Sequence, residues 1–221
     1  MEVAVIADIV GSRRLRDRAA AQAEFDRAVA QAEADLPLAS ESLRPTVGDE
    51  FQARYATLDD ALASLLLVQL LLPDGHDLRF GIGIGEVREI ETGRTLLLDG
   101  SAWWAARTAI ETVQARQVRA VPSMRTWIVG APEEDEVMRT AIGLANAYVL
   151  ARDEIVAGMT ERTRRLTYGR CLGRTQSALA AAEGISQPAV SQALHGAGAA
   201  AVVAGFETLR DRKKPREGER R

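Results

Sequence analysis

Val5-Ile6-Ala7-Asp8-Ile9-Val10-Gly11-Ser12 is an apolar run of strand length that ends on a carboxylate and breaks at a glycine–serine turn. Its near-continuous apolar character predicts a strand over Glu2–Asp8 buried on both faces, in the middle of a sheet. Further on, Val47-Gly48-Asp49-Glu50-Phe51 places Gly-Asp at the tip of a hairpin, with strands over Ser42–Val47 and Glu50–Ala56. Phe51, Ala53 and Tyr55 alternate with Gln52 and Arg54, the period of a strand with one apolar face. Pairing of these strands brings Asp8 and Asp49 to one edge of the sheet. Hard oxygen ligands of that kind suit Mg²⁺ or Mn²⁺ held together with nucleotide phosphates. Singly, each aspartate also has a plain reading, as a strand-end cap and as a turn former.

The rest of the front half completes a pattern. Arg18–Leu36 has helical periodicity through Phe25, Val29 and Ala32 and stops before Pro37. Thr57 is the expected N-cap, with Asp59 and Asp60 in the first turn, of a leucine-rich helix through Leu72. In Leu78-Arg79-Phe80-Gly81-Ile82-Gly83-Ile84-Gly85 glycine recurs at every second position from Gly81, which marks close approach of a ligand or of another backbone. Asp99-Gly100-Ser101-Ala102-Trp103-Trp104-Ala105-Ala106-Arg107 opens a helix to about Val118, and a strand is expected near Gln117–Val121. Adjacent residues on a helix point about 100° apart, so Trp103 and Trp104 have different surroundings. Core packing is the plain role for either; a stacking platform for a base is the sharper one. Strand, helix, hairpin, helix, strand, helix, strand is the order of a ferredoxin-like α+β palm.

Composition bounds the alternatives. A chain of 221 residues holds one large or two small domains. Cys171 is the sole cysteine, which excludes an intrachain disulfide and fits a reducing, cytoplasmic setting. The longest apolar run, Leu65–Leu72, is interrupted by Gln69 and far short of a membrane span, so no membrane partner is expected. The net charge of −3 hides an asymmetry: residues 160–221 carry 12 Lys/Arg against 6 Asp/Glu, a net of +6, and the remainder is at −9. A basic back half points to nucleic acid. His76 and His195 have no metal-ligand spacing.

From Gly130 onward the sequence reads as a short linker and then helices only, with Glu136–Ala157 as one connecting helix. Thr175-Gln176-Ser177-Ala178-Leu179-Ala180-Ala181-Ala182-Glu183-Gly184-Ile185-Ser186-Gln187-Pro188-Ala189-Val190-Ser191-Gln192-Ala193-Leu194 has helix-turn-helix spacing. Ala178, Leu179 and Ala182 form an apolar face, Gly184 permits the turn, Ile185 plugs the angle and Ser186 caps a second helix. In the usual docking the first residues of the second helix meet base edges in the major groove. That nominates Gln187, Ser191 and Gln192 for bases, with Thr175, Gln176 and Arg174 near phosphates. The second helix itself bears no Arg or Lys, so phosphate neutralisation falls to Arg164, Arg165, Arg170 and Arg174 and to the tail. The other reading of these helices is a docking or dimerisation module.

Taken in order and spacing, Asp8-Ile9-x-Gly-Ser, Gly48-Asp49, Arg79-x-Gly-Ile-x-x-Gly85-Glu-Val and Ala105-Ala106-Arg107 resemble the catalytic core of class III nucleotide cyclases. The Gly48-Asp49-Glu50-Phe51 string is similar to that of GGDEF diguanylate cyclases, and the whole set resembles the SatD family over roughly residues 1–210. The cyclase resemblance implies Asp8 and Asp49 as metal carboxylates, Ile9, Gly11, Ser12 and Gly48 beside the phosphates, and Arg107 as the catalytic cation. It also implies a pocket between two subunits. The ribose-orienting asparagine of cyclases falls on Trp103, the purine-reading lysine on Pro45, and the first glycine of GGDEF on Val47. Trp103 is thereby a candidate nucleotide contact, and simple cyclisation of ATP or GTP is disfavoured. The expected organisation is a cyclase-like palm over 1–130, a connecting helix over 131–157, a helix-turn-helix domain over 158–211 and a disordered charged tail over 212–221. The expected function is a homodimeric, nucleotide- and Mg²⁺-binding transcriptional regulator acting on duplex DNA. The alternative is an active enzyme on a nucleoside triphosphate, its C-terminal helices serving dimerisation or partner binding.

Overall fold

The computed structural model describes residues 2–12, 17–46, 48–92 and 95–211, of which residues 89–92 and 95–98 are described by their backbone alone. The elements are β1 (Glu2–Ile9), α1 (Arg18–Asp35), β2 (Ala39–Pro45), β3 (Glu50–Tyr55), α2 (Leu58–Leu71), β4 (Leu78–Gly85), β5 (Arg88–Thr92), β6 (Thr95–Asp99), α3 (Ser101–Arg119), β7 (Thr126–Gly130), α4 (Glu136–Ala157), α5 (Glu161–Cys171), α6 (Gln176–Glu183), α7 (Gln187–Gly196) and α8 (Ala199–Asp211). The fold is mixed α+β, with a five-stranded sheet in the order β2-β3-β1-β4-β7 and a separate β5-β6 hairpin. β1 pairs antiparallel with both β3 and β4, and β7 runs parallel to β4.

The alternation along β1 divides the interior. Val3, Val5, Ala7 and Ile9 join Phe51, Tyr55, Phe80 and Ile82 in the main core beneath α1 and α2. Ala4 and Ile6 face the other way, onto Ala102, Trp103, Ala106 and Ile110 of α3. The glycines of β4 belong to this second face. A Cβ on Gly83 would stand 1.9 Å from the Ala102 carbonyl oxygen and 2.3 Å from the Ala106 nitrogen; one on Gly81 would stand 2.4 Å from the Ile110 nitrogen. The run of glycines is therefore explained by the backbone of α3 lying directly on the strand, not by a ligand.

α2 is buried along nearly its whole length. Thr57 caps it, its hydroxyl accepting from the Asp60 N–H, and α5 and α8 close over it from outside. Leu65, Leu66, Leu166, Val202 and Phe206 lie in one continuous apolar cluster with the sheet residues. α4 packs on β7 through polar clamps. Asn146 accepts from the Ile128 N–H and donates to the Ile128 carbonyl, both at 2.9 Å. Buried Asp153 accepts from the backbone N–H groups of Arg125 at 2.7 Å and Thr126 at 2.8 Å, and pairs with buried Arg152 at 2.7 Å.

Two local expectations are corrected. No strand forms at Gln117–Val121: α3 continues to Arg119, and the strand is Thr126–Gly130. Residues beyond the next turn hold the end of α3 helical, since Arg116 lies 4.3 Å over the Trp127 ring and Gln117 donates to the Met124 carbonyl. β2 begins at Ala39 and ends at Pro45, with irregular register against β3. Val47 and the expected disordered tail, 212–221, lie outside the described residues. Among the described residues no single helix is long and apolar enough to cross a membrane.

Candidate functional site

The register of the sheet builds the site. Asp8 of β1 is the direct partner of Glu50 on β3 and of Arg79 on β4, so Glu50, Asp8 and Arg79 form one row across three strands. Directly opposed side chains in such a row are about 5 Å apart, and like charges there repel. Asp8 and Glu50 are such a pair, and each has its own guanidinium. Arg79 grips Asp8 with two donors, Nε to Oδ1 at 2.7 Å and Nη2 to Oδ2 at 3.1 Å. Gln114 of α3 adds a third hydrogen bond to Oδ2. Arg107, also from α3, pairs with Glu50 at 2.7 and 2.9 Å. Those hydrogen bonds to Glu50 hold the Arg107 guanidinium above its ordinary value.

This row forms the floor of a cleft of about 850 Å³ lined by Asp8, Gly11, Ser12, Arg18, Gly48, Asp49, Glu50, Arg79, Arg107, Gln114 and Val118. The turns at its rim are shaped by Gly11 at φ 70° and Gly48 at φ 74°, the left-handed region that favours glycine. Asp8, Gly11, Ser12, Gly48, Asp49 and Arg107, each singled out from the sequence, are thus brought together. Two others are not. The side chain of Ile9 lies in the main core, and Trp103 packs beneath α3 at 6 % exposure, its indole N–H without a partner among the described residues. Its neighbour Trp104 is the exposed one, at 65 %. Sequence reasoning gave no role to Glu50, Arg79, Gln114 or Arg18. Parity along β4 carries a signal for Arg79, which shares the face of Gly81 and Gly83.

Among the described residues no group of three or more His, Cys, Asp or Glu side chains is placed to hold a metal ion. Mg²⁺ is commonly bound by one or two carboxylates together with substrate phosphates. Asp8 and Asp49, lining one cleft with three arginines, Arg18, Arg79 and Arg107, fit that half-site, in which the ligand would supply the remaining oxygens. Arg79 and Arg107 are the guanidiniums paired with the carboxylates Asp8 and Glu50 there.

At the other end of the chain, Thr175 caps α6 and Ser186 caps α7, their hydroxyls accepting from the Ala178 and Ala189 N–H groups. Gly184, at φ 65°, ends α6 in the left-handed conformation. Val190 and Leu194 are buried, while Gln187, Ser191 and Gln192 are exposed along one side of α7. Gln187 donates to Gln176 Oε1 at 2.8 Å, tying the start of α7 to the start of α6. Thr175 and Arg174 are exposed beside them. The basic residues divide. Arg164 is engaged with Asp74 and the Leu72 carbonyl, and Arg165 with Glu161 and Glu183. Arg170 donates to the Arg174 carbonyl.

Residues 2–138 match the model of the SatD family. No curated protein matches the chain. Among solved structures, a bacterial light-regulated adenylyl cyclase aligns at 14 % identity over 54 % of this chain and 71 % of that one, with a TM-score of 0.39. At that TM-score the likeness bears on neither the fold nor the activity of this chain.

Proposed function

The chain belongs to the SatD family, and we propose that it is a nucleotide- and Mg²⁺-responsive transcriptional regulator with a helix-turn-helix at its C-terminal end. The observation that carries the first half is the meeting of Asp8, Gly11, Ser12, Gly48, Asp49 and Arg107 in one cleft. The order β2-β3-β1-β4, antiparallel throughout, supports a ferredoxin-like palm beneath that cleft. Asp8 and Asp49 would hold the metal, the turns at Gly11 and Gly48 would admit the phosphates, and Arg107 would offset their charge. Bound metal supplies charge neutralisation for the phosphates; orientation is the work of the protein groups.

The second half rests on α6 and α7. A helix capped by Ser186 that presents Gln187, Ser191 and Gln192 in a row suits base edges in a major groove. Thr175 and Arg174, exposed before α6, and Gln176, hydrogen-bonded to Gln187, would serve the phosphate backbone. The charge excess of the back half resides largely in residues 212–221, so that segment supplies much of the electrostatic attraction. A homodimer would set the spacing of two half-sites about one helical turn apart.

The test is the affinity of the full-length chain for duplex DNA, with and without saturating Mg²⁺–nucleoside triphosphate. A regulator changes affinity by a factor of about 5 to 150, and nucleotide affinity changes by the same factor when DNA is bound. Gln187→Ala lowers discrimination between sequences, whereas Arg174→Ala weakens binding to all of them. No binding to any duplex at low salt would overturn the DNA-binding half. A second reading, an enzyme acting on a nucleoside triphosphate, is favoured by Arg107 standing in the cleft with the carboxylates; chromatographic analysis of the nucleotide after incubation separates the two.

A further inference from the structure

Asp8 and Glu50 stand side by side, and both are already neutralised from within the chain. The Arg79–Asp8 pair is largely shielded, with side-chain exposures of 15 % and 13 %, and takes the fork-on-carboxylate geometry that makes such pairs strong. A divalent cation approaching Asp8 alone meets a carboxylate whose two oxygens accept three hydrogen bonds. A polyphosphate approaching alone meets two guanidiniums, Arg79 and Arg107, whose charge is satisfied by Asp8 and Glu50, so that of the three arginines lining the cleft only Arg18, at its exposed edge, stands outside those pairs.

We infer that the cleft loads metal and phosphate together, by counter-ion exchange: Arg79 and Arg107 hold Asp8 and its neighbour Glu50 in the free protein, and turn to the phosphates when a cation held by Asp8 and Asp49 comes to neutralise that pair of carboxylates. This rests on the metal–nucleotide reading of the cleft. Either ligand alone breaks an internal ion pair and replaces only half of it, leaving a charge uncompensated in a half-buried place. Both ligands together convert two internal pairs into two pairs with the ligand, and no charge is stranded. Arg79 is the stronger guard, because Arg107 is 47 % exposed and its pair is better screened. The cleft then answers to the metal–nucleotide complex and not to ambient Mg²⁺.

A guanidinium held on a carboxylate repels a divalent cation that approaches the same oxygens, and removing that charge relieves the repulsion. The experiment is titration of the full-length chain with Mn²⁺ alone, followed by the paramagnetic signal of free Mn²⁺, and then with Mn²⁺–ATP. In the parent, Mn²⁺ alone binds weakly and Mn²⁺–ATP tightly. Arg79→Gln, which keeps a hydrogen bond to Asp8 but not the charge, is expected to bind Mn²⁺ alone about tenfold more tightly or better, and Mn²⁺–ATP less tightly than the parent. A residue that only pinned β1 to β4 would lower both affinities together. Arg107→Gln repeats the test on Glu50 and stands in should the first variant not fold. Tight Mn²⁺–ATP binding by the parent, with neither variant gaining affinity for Mn²⁺ alone, overturns the exchange and leaves the nucleotide reading standing. Failure of the parent to take up Mn²⁺–ATP or any other Mn²⁺–nucleotide overturns both.

Discussion

Gly83→Ala puts one methyl group where the structure has no room for it. An ideal Cβ there would lie 1.9 Å from the Ala102 carbonyl oxygen and 2.3 Å from the Ala106 nitrogen, whereas ordinary contact begins at 3.4 Å. Both obstacles are backbone atoms of α3, so no side chain can swing aside. Relief requires α3 to retreat by about 1.5 Å, or β4 to buckle by as much. A gap of even about 1 Å forfeits up to half of the dispersion attraction across it, and the residues that face it are Ala102, Trp103, Ala106 and Ile110 against Ala4 and Ile6. Overpacking usually costs about 1–3 kcal/mol, and a clash with rigid backbone belongs at or above the top of that range. At about 2–4 °C per kcal/mol for a chain of this size, the melting temperature should fall by roughly 10 °C. Because α3 brings Arg107 and Gln114 to the cleft, any nucleotide affinity of the kind proposed above should fall too. Gly48→Ala is the comparison: nothing lies within 4 Å of its Cβ, and only the φ of 74° is strained, for about 1–2 kcal/mol. The assay is calorimetric or circular-dichroism melting of both variants. A Gly83→Ala melting temperature at or above that of Gly48→Ala would refute the close approach of α3 to β4.

Buried and paired groups elsewhere in the chain give three further expected outcomes. Asp153→Asn leaves buried Arg152 without its counter-charge and should cost about 3–5 kcal/mol in denaturant unfolding; a loss below about 1 kcal/mol would show that this clamp does not hold α4 to β7. Burial pushes the Cys171 thiol up to about 12, so thiol reagents at pH 8 should label it only after unfolding, and rapid stoichiometric labelling of the native chain would contradict its placement. Hydrogen bonds from Arg165 hold the Glu183 carboxyl below its ordinary 4.5, so the pair stabilises above that value and the contribution is lost as pH falls through the lower, folded one. Glu183→Gln should therefore flatten the acid side of a stability–pH curve by something under about 1 kcal/mol, the pair being partly exposed; an unchanged curve would mean the pair contributes nothing.

How far the sequence led depended on whether a feature was local. α4 was expected over Glu136–Ala157 and has those bounds, because its cap at Asp135 and its end before Gly158 are signals within one turn. The Thr57 and Ser186 caps were legible for the same reason. The end of α3 was not, since it is held by Trp127 and Met124, which reach back to it across a turn. In the cleft, Asp8 and Asp49 could be singled out because each sits at a turn signal. Glu50 and Arg79 were passed over because their closeness to Asp8 exists only in the register of three strands. The β4 glycines were recognised as a place of close approach, but whether ligand or helix approached could be decided only by the position of α3. Trp103 and Trp104 divide by helical rotation, and the sequence could not say which of them faces inward.

The central claim is that one cleft, floored by Asp8 and rimmed by Asp49, takes a metal–nucleotide complex. The most direct measurement is isothermal calorimetry of the full-length chain against each of the four common nucleoside triphosphates with Mg²⁺, alongside Asp8→Asn and Asp49→Asn. The account predicts saturable binding to the parent by at least one of them, and loss of that binding in both variants with the fold retained. Binding undiminished in both variants, or no heat with any nucleotide in the parent, would contradict it.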